Sequence, residues 1–225
     1  MKIKNIILGM LSFSIIALSS CEKTFDQLEK DSNRAVQVPA SLVLQSIELN
    51  VINDNGRPFS AEMRYNQYYC SNYNYYANNE YNLGQMPNQY TTLKNVVKME
   101  EEAKKLGLAD VNGYSALGKF FRAYFFDQMS KRVGDLPMTD ALKGIENIAP
   151  KYDSQKVIYT QILKWLDDAN SDMTALAAKG ETISGDFYFN GDLKKWQKVV
   201  NAYRLRVLIT LSKKDTDAEL GVKAK

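Results

Sequence analysis

The sequence predicts an all-α protein built from stacked helix hairpins. Three observations predict it. Apolar residues recur every three or four positions in several consecutive segments, the period of a helix with one buried face. Glycine, asparagine, aspartate and proline cluster in the breaks between those segments. Apolar residues make up 45% of the 225 positions, which suffices for one sizeable core and argues against disorder. Successive amphipathic helices with short breaks pack antiparallel. A strict helix-pair repeat signature is not visible.

The first 39 residues read as targeting and tether. Lys2 and Lys4 form a charged start, and an apolar run follows over 6–18. As a helix that run spans only ~20 Å, short of the ~30 Å hydrocarbon core. It therefore reads as a signal peptide over 1–20. Its ending, Leu18-Ser19-Ser20-Cys21, resembles a bacterial lipobox: an aliphatic residue, two small ones, then a cysteine whose thiol is the nucleophile for diacylglycerol transfer. The expectation is lipidation at Cys21, which becomes the first residue of the mature chain. An ordinary signal peptide before a chance cysteine is the weaker alternative, because charged start, apolar run and box coincide. Each buried CH₂ of a palmitate-type chain adds ~0.8 kcal/mol, so two or three chains anchor stably. Residues 21–39 are polar with scattered apolar positions, and read as a tether. Cys70 is then the only cysteine left, so no internal disulfide pair exists; with no histidine anywhere, it reads as a small packed side chain.

Residues 40–225 form the helical domain. Val43, Ile47 and Val51 mark a short helix over 40–52, ended by Asn53-Asp54-Asn55-Gly56. A second helix fits 61–76, with loop over 78–87. The next helix covers 89–106. Leu93, Val96, Val97, Ala103 and Leu106 form its apolar face, Glu100/Lys104 and Glu101/Lys105 are i,i+4 pairs, and Gly107 is the C-terminal stop. The helix over 114–133 carries Leu117, Phe121, Tyr124, Phe125 and Gln128 along one side, with Phe120 and Phe126 widening the face. It is too apolar for a lone surface helix and belongs between neighbours. Gly134-Asp135-Leu136-Pro137 stops it. Asp153 or Ser154 caps a helix to about 178, striped by Ile158, Ile162, Trp165, Ala169, Met173 and Leu176 and closed by Gly180. Asp192 caps the last helix, to about 212, with Trp196, Val199, Val200, Tyr203 and Val207 inside. Between these two, the Gly/Asp-bounded aromatic stretch Gly185-Asp186-Phe187-Tyr188-Phe189-Asn190-Gly191-Asp192 reads as a short extended piece.

Composition removes several functions. Net charge is +3, and Lys2 and Lys4 supply two of those positives, so there is no basic footprint for nucleic acid. Without histidine, the Ser-His and Cys-His nucleophile pairs and all His-based zinc sites are excluded. No Gly-rich phosphate loop appears. The acids Asp167/Asp168 and Glu100 to Glu102 are adjacent on helices and point about 100° apart, so they read as solvated faces and not as a glycosidase pair. Asp186, Asn190 and Asp192 carry the hard oxygens that calcium takes, although turn and cap roles account for them better. Trp165 and Trp196 lie on apolar faces and read as core. Arg122, Arg204 and Arg206 are expected to bond within or between helix pairs.

The best binding feature is a Tyr/Asn-rich stretch. Seven of the 14 tyrosines fall between Tyr65 and Tyr81, interleaved with Asn66, Asn72, Asn74, Asn78 and Asn79. Aromatic faces stack on sugar rings while amides bond hydroxyls, and tyrosine loses little rotamer entropy on binding. Tyr65, Tyr69, Tyr73 and Tyr76, spaced four, four and three, fit the buried stripe of a helix better. Tyr75 and Tyr81, with Asn78 and Asn79 near the loop, are the candidate ligand contacts.

Three stretches together resemble the SusD/RagB family of nutrient-binding outer-membrane lipoproteins of the Bacteroidetes. They are Ala116-Leu117-Gly118-Lys119-Phe120-Phe121-Arg122-Ala123-Tyr124 running into Gly134-Asp135-Leu136-Pro137; Pro150-Lys151-Tyr152-Asp153-Ser154-Gln155 with Leu166-Asp167-Asp168-Ala169; and Gly191-Asp192, Lys195-Trp196 and Asn201-Ala202-Tyr203-Arg204-Leu205-Arg206. The resemblance covers most of the mature chain. It implies tetratricopeptide-like stacked helix pairs with long loops. It implies a surface-exposed lipoprotein at the outer membrane that binds glycan, peptide or another oligomeric nutrient and hands it to a SusC-like TonB-dependent transporter, with no catalysis and no cofactor beyond the lipid. Family members are longer, so it also implies the N-terminal portion of such a domain, incomplete at its C-terminus. The competing function is a lipid-anchored helical scaffold that binds only protein partners.

Overall fold

The computed structural model describes residues 38–53, 88–214, 216, 217 and 220. The signal peptide, Cys21, most of the tether, the helix expected over 61–76, Cys70 and the candidate contacts Tyr75, Asn78, Asn79 and Tyr81 lie outside the described residues. The description below concerns the compact unit Pro39–Lys225.

Five α-helices carry the fold: α1 Ala40–Asn53, α2 Tyr90–Lys105, α3 Gly113–Val133, α4 Gln155–Ala178 and α5 Leu193–Thr210. Two single 3-10 turns, Gly144–Glu146 and Ser212–Lys214, complete the regular structure. There is no β-strand among the described residues, only one isolated antiparallel bridge between Leu136 and Asp153. Each helix packs on its predecessor and successor in sequence. Cross-links fix the direction. Early α3 meets late α4 through Lys119 and Asp172, and late α3 meets early α4 through Asp127 and Tyr159. Late α4 meets early α5 through Asn170 and Gln197. α3, α4 and α5 therefore alternate in direction.

The apolar stripes explain the packing. α3 lies centrally, and 13 of its 21 residues are buried, which a helix with one covered face cannot reach. Its aromatic core, Phe121, Phe125 and Phe126, is almost fully buried. Ile158, Ile162, Ala169, Met173 and Leu176 of α4 and Trp196, Val200, Tyr203 and Val207 of α5 are likewise buried. Trp165 is half-buried and stacks on Phe126 at 5.8 Å.

The ends follow local chemistry. Asn112 caps α3 in a reciprocal box with Ser115, Ser154 caps α4, and Asp192 caps α5 through the N–H groups of Lys194 and Lys195. Gly107, Gly134 and Gly180, the expected stops, all take positive φ. Asp153 does different work. It accepts from the N–H groups of Met138 and Thr139, each at 2.8 Å, while Asp135 accepts from the N–H of Gln155 at 2.8 Å. The two aspartates thus close the base of the loop over 134–154.

Three local expectations are corrected. Glu100 does not pair with Lys104; it forks onto Arg122 of α3, with both bonds at 2.6 Å. A bidentate guanidinium outcompetes an exposed i,i+4 lysine. Lys105 pairs with Glu102 and not Glu101, because Glu102 is the acid on the buried flank. Leu106 lies past the last turn and is exposed, so it is not part of the apolar face.

Candidate functional site

The turn between α4 and α5 is where backbone, charge and aromatic surface converge. Asp186 organises it. Its buried carboxylate accepts from the N–H groups of Tyr188 (2.9 Å), Phe189 (3.3 Å) and Gly191 (2.8 Å), and from Nε1–H of Trp196 (2.9 Å). A short acid bonding its own downstream backbone bends the chain, so 186–191 forms turns and bends and not the extended piece expected. Asn190 takes φ 53°, which asparagine tolerates. Asp192 is committed to the α5 cap. The oxygens considered for calcium thus have turn and cap roles, and the described residues gather no group of three or more acidic or thiol side chains that could hold a metal ion.

The turn docks on α1. Gly185, at φ 90°, runs so close to Ser41 that a Cβ there would collide with its backbone. Glu48 of α1 accepts from the N–H of Phe187 at 3.1 Å through Oε2, and its backbone carbonyl accepts from Tyr188 Oη at 3.4 Å. Tyr114 Oη of α3 donates to the Ser184 carbonyl at 3.0 Å. Glu48 itself is fully buried, and its Oε1 has no hydrogen-bond partner. Burial pushes the Glu48 carboxyl up to about 8, against a pull downward from the Phe187 N–H and a further push from the neighbouring Asp186.

On the outside of this turn sit Phe187 and Tyr188, 41% and 39% exposed. Their ring centroids are 4.7 Å apart with planes 32° apart, so two consecutive side chains are brought to the same side. Alternating strand geometry would have separated them. Tyr188 meets Trp196 edge-on at 6.0 Å, and Trp196 packs on Phe120 and Phe121. An exposed aromatic pair is therefore backed by the core and pinned through its backbone. Such a surface can stack on the apolar face of a sugar ring at small entropic cost.

A second exposed feature is the loop over 140–152, where Ile145, Ile148 and Tyr152 are 96%, 88% and 74% exposed. The arginines are structural: Arg122 binds Glu100, Arg204 binds Asp167 at 2.5 Å, and Arg206 lies 6.0 Å from the Tyr203 ring. Asp168 pairs with Lys164 on the exposed face of α4, so it and Asp167 face no common substrate. A buried hub joins three helices: Asp127 of α3 accepts from Tyr159 Oη (3.0 Å) of α4, from Tyr203 Oη (2.5 Å) of α5, and from Lys131 Nζ (2.7 Å).

The sequence reading missed Glu48, Asp127 and the exposure of Phe187 and Tyr188. A signal existed for Asp127, an acid within an almost unbroken aromatic run, and for the turn, in the spacing of Asp186, Asn190 and Gly191. Glu48 gave none.

Comparison with known proteins places these features. Residues 32–225 match a SusD-like family model described as starch-binding and associating with the outer membrane. An outer membrane protein of Bacteroides vulgatus, proposed to act in nutrient binding, is similar in structure with TM-score 0.64 and 34% identity, over 79% of this chain and 37% of that one. Two SusD homologues of Bacteroides fragilis are similar with TM-scores of 0.61 and 0.65 and identities of 35% and 30%. They cover 78% and 83% of this chain, and 36% and 39% of theirs. The chain thus spans somewhat over a third of the length of these relatives. No curated protein sequence matches it.

Proposed function

This chain belongs to the SusD-like family, and from that premise we propose that it is a nutrient-binding lipoprotein that captures glycan or another oligomeric nutrient and hands it to a SusC-like TonB-dependent transporter. The helical fold and the family's outer-membrane association are the established part. No helix among the described residues is long and apolar enough to cross a membrane. In this reading the acyl chains on Cys21 hold the protein at the outer membrane, exposed at the cell surface. The protein is a binder and not an enzyme, and needs no cofactor.

The observation that carries the reading is the Phe187–Tyr188 pair, whose rings lie open on a turn already fixed in place. Tyr75, Tyr81, Asn78 and Asn79 remain proposed contacts in addition. Titration calorimetry of the full mature chain against an oligosaccharide panel, starch-derived oligomers included, tests it. At least one oligosaccharide should bind, and replacing both Phe187 and Tyr188 by alanine should weaken it about tenfold or more, since base–aromatic stacking elsewhere is worth ~1–3 kcal/mol per ring. Binding to no glycan and to no other oligomeric nutrient, or turnover of any, would sink the reading.

A second reading, a scaffold that binds protein only, is favoured by the apolar loop of Ile145, Ile148 and Tyr152, whose side chains are nearly fully open to solvent. Co-purification with a barrel protein alongside no glycan binding would select it.

A further inference from the structure

We propose that Glu48 and Asp186 share a single proton, and that this proton clasps the aromatic turn over 185–192 to α1. The clasp itself stands independently of what the turn binds. Only its consequence for affinity rests on the function proposed above.

The geometry leaves few alternatives. Two carboxyl groups, 0% and 6% exposed, meet at the junction of α1 and the turn: Glu48 binds the N–H of Phe187, the residue after Asp186, and Asp186 acts directly on the Glu48 carboxyl. Asp186 is supplied with four N–H donors on its two oxygens. Glu48 uses Oε2 for the Phe187 N–H, and Oε1 has neither donor nor solvent. A buried oxygen of this kind is costly as an acceptor without a partner. It is satisfied at once as an O–H donor towards the neighbouring carboxylate, the arrangement by which two adjacent acids coexist with one proton. Among the described residues, the titratable groups coupled to Glu48 are acidic: Asp186, which acts on it, and the Tyr188 phenol, on which Glu48 acts. Among the described residues no lysine or arginine reaches it from α1, from α2 or from the turn. A metal ion fits less well, since the described residues offer no third carboxylate and Asp186 already faces N–H donors. The upward push on Glu48 towards about 8 accords with a proton held at neutral pH.

The consequence is directional. While the proton is present, O–H donation from Glu48 joins the Phe187 N–H and the Tyr188 hydroxyl in holding the turn on α1. Once it leaves, two buried carboxylates repel across the same contact. The turn then loses its hold, and Phe187 and Tyr188 lose the backing that fixes them.

Carboxyl-carbon NMR of the full chain labelled at glutamate and aspartate, with Glu48→Gln to identify the resonance, tests the clasp. The Glu48 carbon should titrate near 8, apart from the exposed glutamates. The amides of Phe187 and Gly191 should lose hydrogen-exchange protection in the wild type relative to Glu48→Gln by up to ~tenfold per pH unit as pH rises from 4.5 to 8 and then level off, because the opened turn gives up the Glu48 proton in that window while the closed one keeps it. The side-chain amide that Glu48→Gln introduces is a donor that does not titrate, so this variant should keep the turn closed from pH 6 to 9. Titration of Glu48 with the ordinary glutamates would overturn the proposal. So would equal protection in both proteins at pH 9, or a shift of the Glu48 carbon at pH 6 on adding calcium. If the clasp holds and no glycan or other oligomeric nutrient binds, the functional reading fails alone. If glycan binds with the same affinity at pH 6 and 9 while protection is lost, the link between clasp and affinity fails alone.

Discussion

Replacing Asp127 by alanine should cost about 4 kcal/mol of folding stability. Asp127 is fully buried, and Tyr159 and Tyr203 that donate to it are 4% and 8% exposed. Removing the carboxylate takes the acceptor from two buried phenol hydroxyls, with the Gln128 side chain left beside that of Tyr203. Each such orphan costs ~1–3 kcal/mol. Lys131 contributes little, because its side chain is 27% exposed and can turn to water. The two orphans therefore set the total at ~2–6 kcal/mol, against a domain stability of ~5–15 kcal/mol. Urea unfolding of the full chain, followed by far-UV circular dichroism, measures it. A double-mutant cycle sharpens the attribution. With Tyr203→Phe in the background, one orphan no longer exists, so Asp127→Ala should cost at least ~1 kcal/mol less there. A second signature lies at high pH. Burial first, and then the Asp127 charge, push the Tyr203 and Tyr159 phenols above the ordinary tyrosine range. Acids raised on folding stabilise fully below their unfolded value, and that stabilisation is lost as pH climbs beyond it. The wild type should therefore lose stability steadily above pH ~10 and go on losing it to a higher pH than Asp127→Ala does. A cost below ~1 kcal/mol, or a strictly additive cycle, would refute the hub as the tie between α3, α4 and α5.

Two further changes probe other junctions. Gly118→Ala puts a Cβ where the Glu100 carboxylate lies against α3, so the Glu100–Arg122 fork must move; despite the better helix propensity of alanine, a loss of ~1–3 kcal/mol is expected in urea unfolding, and Glu100→Ala in the same chain should relieve part of it. For Glu48, the unfolded group titrates near 4.5 and the folded one near 8, so the folded state keeps a proton that the unfolded state gives up across that window. Wild-type stability should fall as pH rises from 4.5 to 8, by at most ~5 kcal/mol, and then level off; Glu48→Gln should lack this slope and be the more stable protein at pH 8, as read by thermal unfolding across pH.

The helices were legible because burial imposes a period. The stripes of 40–52 and 89–106 fall within a residue of the observed α1 and α2. The same stripes placed Trp196, Tyr203 and Ile162 correctly in the core. What escaped was polar and long-range. Spacing within α2 allows Glu100 to reach Lys104, but the choice between Lys104 and Arg122 depends on how α2 crosses α3, which no local pattern encodes. The same holds for Glu48. Beside Ile47 on the flank of α1 it looks like an ordinary surface acid, and only the returning turn, 139 positions later, buries it. Phe187-Tyr188-Phe189 was read from side-chain type as extended, whereas the backbone obeys Asp186, three of whose four donors are main-chain N–H groups of its own turn. The chemistry expected at Cys21, Tyr75, Asn78, Asn79 and Tyr81 stays a matter of sequence, since these residues lie outside the described structure.

A stack in which each helix packs mainly on its neighbours gains its order locally, junction by junction. Polar links mark each junction between α2 and α5: Glu100–Arg122, then Lys119–Asp172 with Asp127–Tyr159, then Arg204–Asp167. None of these ties the first helix to the last pair. The turn over 185–192 does, through Ser41, Glu48 and the Tyr188 hydroxyl. Among the described residues, its contact with α1 therefore adds a long-range closure to an assembly that otherwise joins neighbouring helices and, through Asp127–Tyr203 and Phe120–Trp196, α3 to α5. That closure includes the acid pair beside the Phe187 N–H and Tyr188 hydroxyl contacts, so protonation can tune it while the helical stack stays intact. α1 is also the helix that leads in sequence into the Tyr/Asn-rich stretch. Loosening the clasp thus disturbs the exposed Phe187–Tyr188 pair directly and bears on the helix from which the other proposed contacts depart, which is why pH-dependent affinity is a sharper test of the binding surface than alanine substitution of either aromatic alone.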